Sequence, residues 1–544
     1  MNTQLWWQNA VIYQVYPRSF YDSNGDGIGD LRGIAQKLDY IAKLGVDGVW
    51  ISPFFQSPMI DFGYDISDYR AVDPIFGTLA DFDALLEKAH SLGLKILIDQ
   101  VLSHTSDQHA WFQESRSSRT NPKSDWYVWA DPKPDGTPPN NWLAVFGGSA
   151  WQWDEGRQQY YLHNFLRSQP DLNFHNDALR AQILKEMRFW LDKGVDGFRL
   201  DAINYCYHDA QLRDNPVKPE HERKGRGFSE LNPYAAQKHL YDNTQPENLG
   251  FMEEIRRTLD NYPSAVGLGE INTDDSLASI AEYTQPNRLH LGYSFELLAD
   301  EFSPQFISET INRSQTHLQQ RIPCWAISNH DVKRVVTRWG KQLSTAEEDH
   351  DAIAKLLTLM MLSLRGTICT YQGEELGLCE HAISREHLQD PFGIQFWPEF
   401  KGRDGCRTPM PWNGDNNKGG FTDGKPWLPL DIRHLDRSIA AQEDNPHSVL
   451  NIYRQYLCWR KQQSALTNGT QTELVWDKQT VSFTRRSDTQ SLFFCFNLSN
   501  ETATIKNPFQ NTIEAIDQAF FSPCEVNDQH IILPKLGFFC AAVS

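Results

Sequence analysis

Three stretches of the chain repeat one arrangement of apolar positions. Leu31, Ile34, Leu38, Ile41 and Leu44 fall on one helical face, stop at Gly45, and are followed by the apolar run VDGVWISPF. Phe82, Leu85, Leu86, Ala89 and Leu92 repeat this before Gly93 and LKILIDQVL. Leu179, Ile183, Met187, Trp190 and Leu191 repeat it again before Gly194 and VDGFRLDAI. Steps of three and four residues are the period of a helix with one buried side, and glycine can take the left-handed conformation that ends a helix. Each unit therefore predicts an amphipathic helix, a glycine cap and a short buried strand. Apolar strands alternating with helices belong to parallel sheets covered by helices.

Further apolar runs lie at 11–17 (VIYQVYP), 265–271 (AVGLGEI), 324–330 (CWAISNH) and 366–373 (GTICTYQG), with a weaker one at 290–297 (HLGYSFEL). The count reaches eight, which closes a (β/α)8 TIM barrel. A doubly wound open sheet would need fewer strands and a phosphate-binding glycine fingerprint. The cluster Gly25, Gly27 and Gly29 has neither the spacing nor the strand-to-helix setting for one. Residues 105–174, rich in Trp, Pro, Asn and Gly, interrupt the crossover after the third strand and predict a small inserted domain. Residues 205–250, with HERKGRG inside, read as a mobile loop after the fourth strand. Beyond about 465 the pattern turns to short alternating strands, ELVWD, TVSFTRR, SLFFCFNLS, TATIK and HIILP. The expected organisation is an α/β barrel over 1–104 and 175–465, an inserted domain over 105–174, and a C-terminal antiparallel β-sandwich over 466–544.

Composition narrows the partners. Hydrophobic residues make 40% of the 544 and charged residues 22%, the balance of an ordinary globular protein. The formal charge of −19 repels nucleic-acid phosphate and anionic lipid, so neither nucleic acid nor a membrane is an expected partner. No window approaches the ~20 apolar residues of a membrane span. Met1–Ala10 has no basic and apolar leader pattern. Nine scattered cysteines without a Cys-x-x-Cys fit a reducing, cytoplasmic setting. No oligomeric state is implied. The unusual feature is 12% aromatic residues, including 17 Trp.

Barrel active sites lie at the carboxyl ends of the strands. Acids stand there on four runs: Asp99 in ILIDQ, Asp201 in FRLDA, Glu270 in GLGEI and Asp331 in SNHDV. Any one could be a core acid paired with an arginine. Four at one rim repel and desolvate one another, a cost that needs a use. Glycoside hydrolysis uses such a cluster: one acid protonates the departing oxygen, and a second attacks the anomeric carbon or activates water. Aromatic side chains suit the apolar face of a pyranose, and Trp and Phe crowd residues 142–165, with Tyr64 near the end of the second strand. Aspartic-protease chemistry, which needs a paired Asp site, fits poorly. His104 and His330 stand beside these acids as hydrogen-bonding groups for substrate hydroxyls. Arg199, two residues before Asp201 and so on the same side of a strand, can hold that acid ionised and aimed.

These residues carry a resemblance. DQVLSH (99–104), GFRLDAIN (197–204), GEIN (269–272) and SNHD (328–331) resemble, in order and place, the four sequence regions of the α-amylase family, glycoside hydrolase family 13. QPDLN (169–173), GRDGCRTPMPW (402–412) and DFGYDISDY (61–69) are similar to segments of its oligo-1,6-glucosidase and α-glucosidase subgroup. The resemblance covers essentially the whole chain. It implies that Asp201 is the nucleophile, Glu270 the general acid and base, and Asp331 the acid that binds sugar hydroxyls and stabilises the transition state. It implies that Asp61, His104, Arg199, His330 and Arg407 hold the terminal glucose between Tyr64, Phe146 and Phe165. Arg403 competes for the arginine role, in which Arg407 is favoured; Asp99 orients the site from behind. Where the family usually has Asn before its histidine, this chain has Ser103.

The implied activity is that of a retaining, exo-acting α-glucosidase on maltose and short oligosaccharides, with the long loops closing a one-sugar pocket and transglucosylation as an accompanying reaction. Ala202, after the nucleophile, points to α-1,4 links, with a bias of about 1–3 kcal/mol over α-1,6. The neighbouring reading is an oligo-1,6-glucosidase or a sucrose- or trehalose-acting relative. The remote one is a non-catalytic interaction protein of the same lineage, which should have a membrane anchor and degraded carboxylates.

One motif lies outside this site. Asp22, Asn24, Asp26, the carbonyl of Ile28 and Asp30 place oxygen donors at every second residue, with glycines between, a spacing that suits a structural Ca²⁺ or, alternatively, Mg²⁺. Gly33 stands at the twelfth place instead of Glu, so the loop is not a full EF-hand, and a plain Asx-rich turn is the competing reading. No organic cofactor is expected.

Overall fold

A computed structural model describes residues 5–223, 232–293, 295–509 and 514–543. Eight parallel strands close a barrel: β1 (Val11–Val15), β2 (Gly48–Ile51), β3 (Lys95–Val101), β4 (Gly197–Asp201), β5 (Val266–Glu270), β6 (Leu291–Tyr293), β7 (Cys324–Trp325) and β8 (Thr367–Tyr371), with β8 paired to β1. Each falls within one of the eight apolar runs. The weak run at 290–297 yields three strand residues and CWAISNH two; the rest of the latter continues irregularly into the site.

The helical periodicity is realised in α1 (Leu31–Leu44), α2 (Leu79–Ser91) and α3 (Asp177–Lys193). Gly45 and Gly194 cap α1 and α3 in the left-handed conformation. α2 starts three residues before Phe82, the first position of the predicted face, because Thr78 and Asp81 form a reciprocal capping box there.

Strand side chains alternate between two cores. Val11, Tyr13, Val49, Ile51, Ile96, Ile98, Phe198 and Leu200 pack outward with the helices. Ile12, Trp50, Leu97, Leu268 and Cys369 form a separate cluster inside the barrel. Along β3 and β5 the inward positions continue from Leu97 to Asp99 and from Leu268 to Glu270; on β4 they are Arg199 and Asp201. The barrel is therefore apolar at its base and ionic at its carboxyl end. Gly197 allows β4 and β5 to meet: a Cβ there would lie 2.1 Å from the Val266 carbonyl oxygen, and its φ is +145°.

Between β3 and β4 stand a helix (Ala110–Ser117) and a three-stranded antiparallel sheet (Trp129–Ala130, Gln159–Leu162, Trp151–Asp154). After β4 the chain makes short turns at Glu220–Glu222 and Pro233–Ala236; residues 224–231, which include part of HERKGRG, lie outside the described residues. The C-terminal region has a five-stranded antiparallel sheet and a three-stranded one. Phe538–Ala542, a buried strand paired with Ser491–Asn497, is absent from the runs named above because it is apolar throughout and shows no alternation. Among the described residues no helix is long and apolar enough to cross a membrane.

Candidate active site

Arg199 is the hub of the upper barrel. It is fully buried, and its guanidinium binds three carboxylates: Nη1 to Asp99 at 2.7 Å and Asp201 at 2.6 Å, Nη2 to Glu270 at 2.6 Å. Its Cζ lies 4.9 Å from the centroid of the Trp50 ring. Asp99 also accepts from Trp50 Nε1 and Tyr64 Oη, so this acid faces protein on all sides. Asp201 and Glu270 keep 13% and 8% side-chain exposure, and that exposure faces the cavity. The amide of Ala202, which has φ +40°, donates to Glu270 Oε2 at 3.0 Å.

Asp331 enters from the loop after β7. Its Oδ1 accepts from Arg407 at 2.8 Å and Arg403 at 3.2 Å. Arg403 also reaches Asp61 at 2.8 Å, and Gln169 of the inserted segment donates to the other Asp61 oxygen. Gln14 Nε2 donates to His330 Nδ1, leaving His330 Nε2–H for the Tyr64 oxygen at 2.5 Å; Tyr64 in turn donates to Asp99. The Tyr64 and His330 rings stack 5.3 Å apart. His104 donates to the Tyr64 carbonyl, and Ser103 Oγ bonds its other ring nitrogen at 3.0 Å, so the serine that departs from the family pattern fixes the imidazole.

Burial and charge separate these acids. Burial pushes Glu270 up to about 7 against the pull of Arg199. Burial also raises Asp201 and Asp99, which share that one cation. Burial alone would raise Asp331, but His330, Arg403 and Arg407 hold it well below the usual carboxylate range. Burial draws His330 itself down to about 3, so near neutrality the two arginines carry that effect. Burial likewise draws His104 down to about 4.

Asp201, Glu270, Asp331, Asp61, Tyr64, His104, Phe146 and Phe165 line one cavity of about 120 Å³, as do Arg403, Ala202, Tyr205 and Phe392. Arg199 and His330 stand directly behind its wall. The two arginines of GRDGCR divide differently from the expectation. Arg407, favoured above for substrate contact, is fully buried; its Nε donates to the His330 carbonyl and its Nη2 to Asp331. The short turn Asp404–Cys406 separates it from Arg403, and Arg403 is the one on the cavity wall. Arg403, the less favoured of the two in the sequence, thus lines the cavity, together with Tyr205 and Phe392, which the motifs did not single out. For Arg403 the signal was present in the motif; for Tyr205 and Phe392 it was only the aromatic excess.

The loop at 22–30 lies away from this cavity. Asp22 accepts from the amides of Asn24, Gly25 and Gly27, Asp26 from that of Ile28, and Asp30 from Gly33 as the N-cap of α1. These turns hold all-oxygen donors in a tight loop, a donor chemistry that fits a hard cation. Among the described residues the acidic, histidine and cysteine side chains that do converge within 4.8 Å are instead Cys379, Asp431 and His434. There Arg433 and His381 already occupy Asp431, and His434 Nε2 donates to the Cys379 carbonyl.

Residues 14–469 match the family model of the α-amylase catalytic domain. The chain is 52% identical over 542 residues to a probable α-glucosidase of Rhizobium meliloti (strain 1021), covering 99% of this chain and 97% of that protein. It is 39% identical over 545 residues to an oligo-1,6-glucosidase of Heyndrickxia coagulans, covering 93% and 94%. Among solved structures, the α-glucosyl transfer enzyme XgtA matches with a TM-score of 0.97 and 58% identity over the full length of both chains.

Proposed function

The chain belongs to the α-amylase family of glycoside hydrolases, and we propose that it is a retaining, exo-acting α-glucosidase. It removes terminal non-reducing α-glucosyl units from maltose and short oligosaccharides, preferring α-1,4 links, and passes part of them to acceptors other than water. The observation that carries this reading is the meeting of Asp201 and Glu270, from two strand ends, and Asp331, from the loop after β7, on one small cavity.

The chemistry follows from the charge pattern. Glu270, raised to about 7, retains a proton to give to the glycosidic oxygen as that bond breaks. Arg199 binds Asp201 through Oδ1, leaving Oδ2 to attack the anomeric carbon and form the glucosyl ester. Both carboxyls sit on one guanidinium, an arrangement suited to the closer pairing of retaining enzymes. Glu270, now ionised, takes a proton from water or from an acceptor hydroxyl, whose oxygen displaces Asp201. Asp331, kept ionised by Arg403 and Arg407, stabilises the positive charge that develops on the ring. Phe146, Phe165 and Tyr64 supply apolar walls.

The similarity to an α-glucosyl transfer enzyme favours transfer, and Ala202 favours α-1,4 links. The test compares kcat/KM on maltose, isomaltose, sucrose and trehalose, with the first product anomer followed by NMR. Maltose is expected to lead and α-glucose to appear first. Leadership by isomaltose, sucrose or trehalose would assign the neighbouring activity instead, and β-glucose appearing first would refute retention. The same reading assigns a structural Ca²⁺ to Asp22, Asn24, Asp26, Ile28 and Asp30, where it would brace the start of α1, and a cytoplasmic location.

A further inference from the structure

Arg403 touches both acids at the outer end of the cavity, yet it comes from a loop, and long side chains on loops need an anchor to hold one geometry. Asp390 supplies it. This aspartate is fully buried. Its carboxylate takes Arg403 side-on, Oδ2 from Nε at 3.0 Å and Oδ1 from Nη2 at 2.8 Å, and Oδ2 also accepts the Arg403 amide at 2.7 Å. A paired contact of this kind fixes the guanidinium plane as well as its position. The outward edge of that plane then falls on Asp61 and Asp331.

The backbone closes the same contact from the other side. Gln389 and Asp390 donate their amides to Asp404 at 2.6 and 2.9 Å, so residues 389–390 and 403–404 hold each other reciprocally. Gly402 lets them approach: a Cβ there would lie 2.6 Å from Asp390 Oδ2 and 2.7 Å from Gly393 Cα. Asp390 also caps α4 (Pro391–Phe396), which carries Phe392 onto the cavity wall, 5.0 Å from Phe146.

We propose that Asp390 is a positioning residue, which acts through Arg403 to set the arginine across Asp61 and Asp331 and so fixes where the terminal sugar is held. This rests on the glucosidase reading of the cavity. Asn caps a helix about as well as Asp, so Asp390→Asn retains the cap and removes the charge that orients Arg403; Asp390→Ser, another cap, replaces it if the first variant does not fold. With p-nitrophenyl α-glucoside, Asp390→Asn is expected to lower kcat/KM about tenfold to a hundredfold, the range for lost charged hydrogen bonds, mostly through KM and with little change in melting temperature. In an Arg403→Ala background the same substitution should add almost nothing.

An unchanged kcat/KM, or an equal loss in both backgrounds, overturns the proposal. So does a crystal structure of Asp390→Asn with Arg403 still on Asp61 and Asp331, which reads the geometry without substrate. Failure of the wild-type enzyme to turn over the glucoside would instead refute the function, and the crystal structure of the variant would still decide the role of Asp390.

Discussion

Replacing Arg199 with Lys tests the electrostatic logic of the site at its centre. The guanidinium makes three charged contacts of 2.6–2.7 Å, to Asp99, Asp201 and Glu270, through two separated nitrogens. An ammonium is a single point donor and cannot span that fork. Seated between Asp99 and Asp201, which share Nη1, it leaves Glu270 without its cation. A charged hydrogen bond lost in a buried site costs about 1.5–3 kcal/mol, or roughly 10- to 150-fold in kcat/KM if the transition state uses it. The pH profile gives the sign. Arg199 holds Glu270 down, so its withdrawal lets that carboxyl rise further above about 7. The alkaline limb of kcat/KM, which reports loss of the acid's proton, should move to higher pH while the maximum falls. Rates on p-nitrophenyl α-glucoside from pH 4 to 9 measure both. A lowered maximum with an unmoved limb would mean that Arg199 serves only to fill space, and an acid shift would reverse the assignment.

Glu270→Gln mimics the protonated acid. Because folding raises this carboxyl from its ordinary range to about 7, its contribution to stability is present at low pH and lost as pH rises through 7. The variant should therefore gain a degree or more of melting temperature over wild type at pH 8 and much less at pH 5, with turnover abolished; an equal gain at both would refute the shift. Ala202→Val places a β-branched residue at φ +40°, a strain of about 1–3 kcal/mol that should lower the melting temperature. Its added bulk at the cavity should raise the isomaltose-to-maltose ratio of kcat/KM by roughly 5- to 150-fold, and an unaltered ratio would remove Ala202 from the linkage argument. EDTA should lower the melting temperature by several degrees while the folded enzyme keeps its rate. Immediate inactivation without unfolding would place the cation in the chemistry instead of in the loop before α1.

The sequence was most legible where one signal was local. An apolar run ending in an acid marks the top of a barrel strand whatever surrounds it, and Asp99, Asp201 and Glu270 were all found that way. The weak strand at 290–297 was harder, because Leu291–Tyr293 is too short to show a period. The arginines illustrate the opposite case. Arg403 and Arg407 share one motif and one chemistry, and nothing within it says which faces the cavity. That depends on Asp390, thirteen residues earlier, and on the close approach at Gly402, both properties of the packed chain. Tyr205 and Phe392 are similar: a count of aromatics cannot say which of them a fold will turn toward a sugar.

The arrangement of cations also explains how adjacent, similar acids take different tasks. Asp61, Asp331 and Asp390 share two guanidiniums, Arg403 and Arg407, whereas Asp99, Asp201 and Glu270 share one, Arg199. In the first group the two arginines hold Asp331 and Asp390 below the usual carboxylate range, while burial raises Asp61 against their pull. The second group has two more negative charges than its cation offsets, in a place that water hardly enters, and it lowers its energy by keeping a proton. Asp201 and Glu270 are both raised to about 7, so the two carboxyls compete for that proton, and in the proposed mechanism Glu270 holds it when the sugar binds. The larger shortage of cations at the barrel centre, two against one at the rim, thus favours a retained proton among the central acids, while Arg403 and Arg407 keep Asp331 ionised.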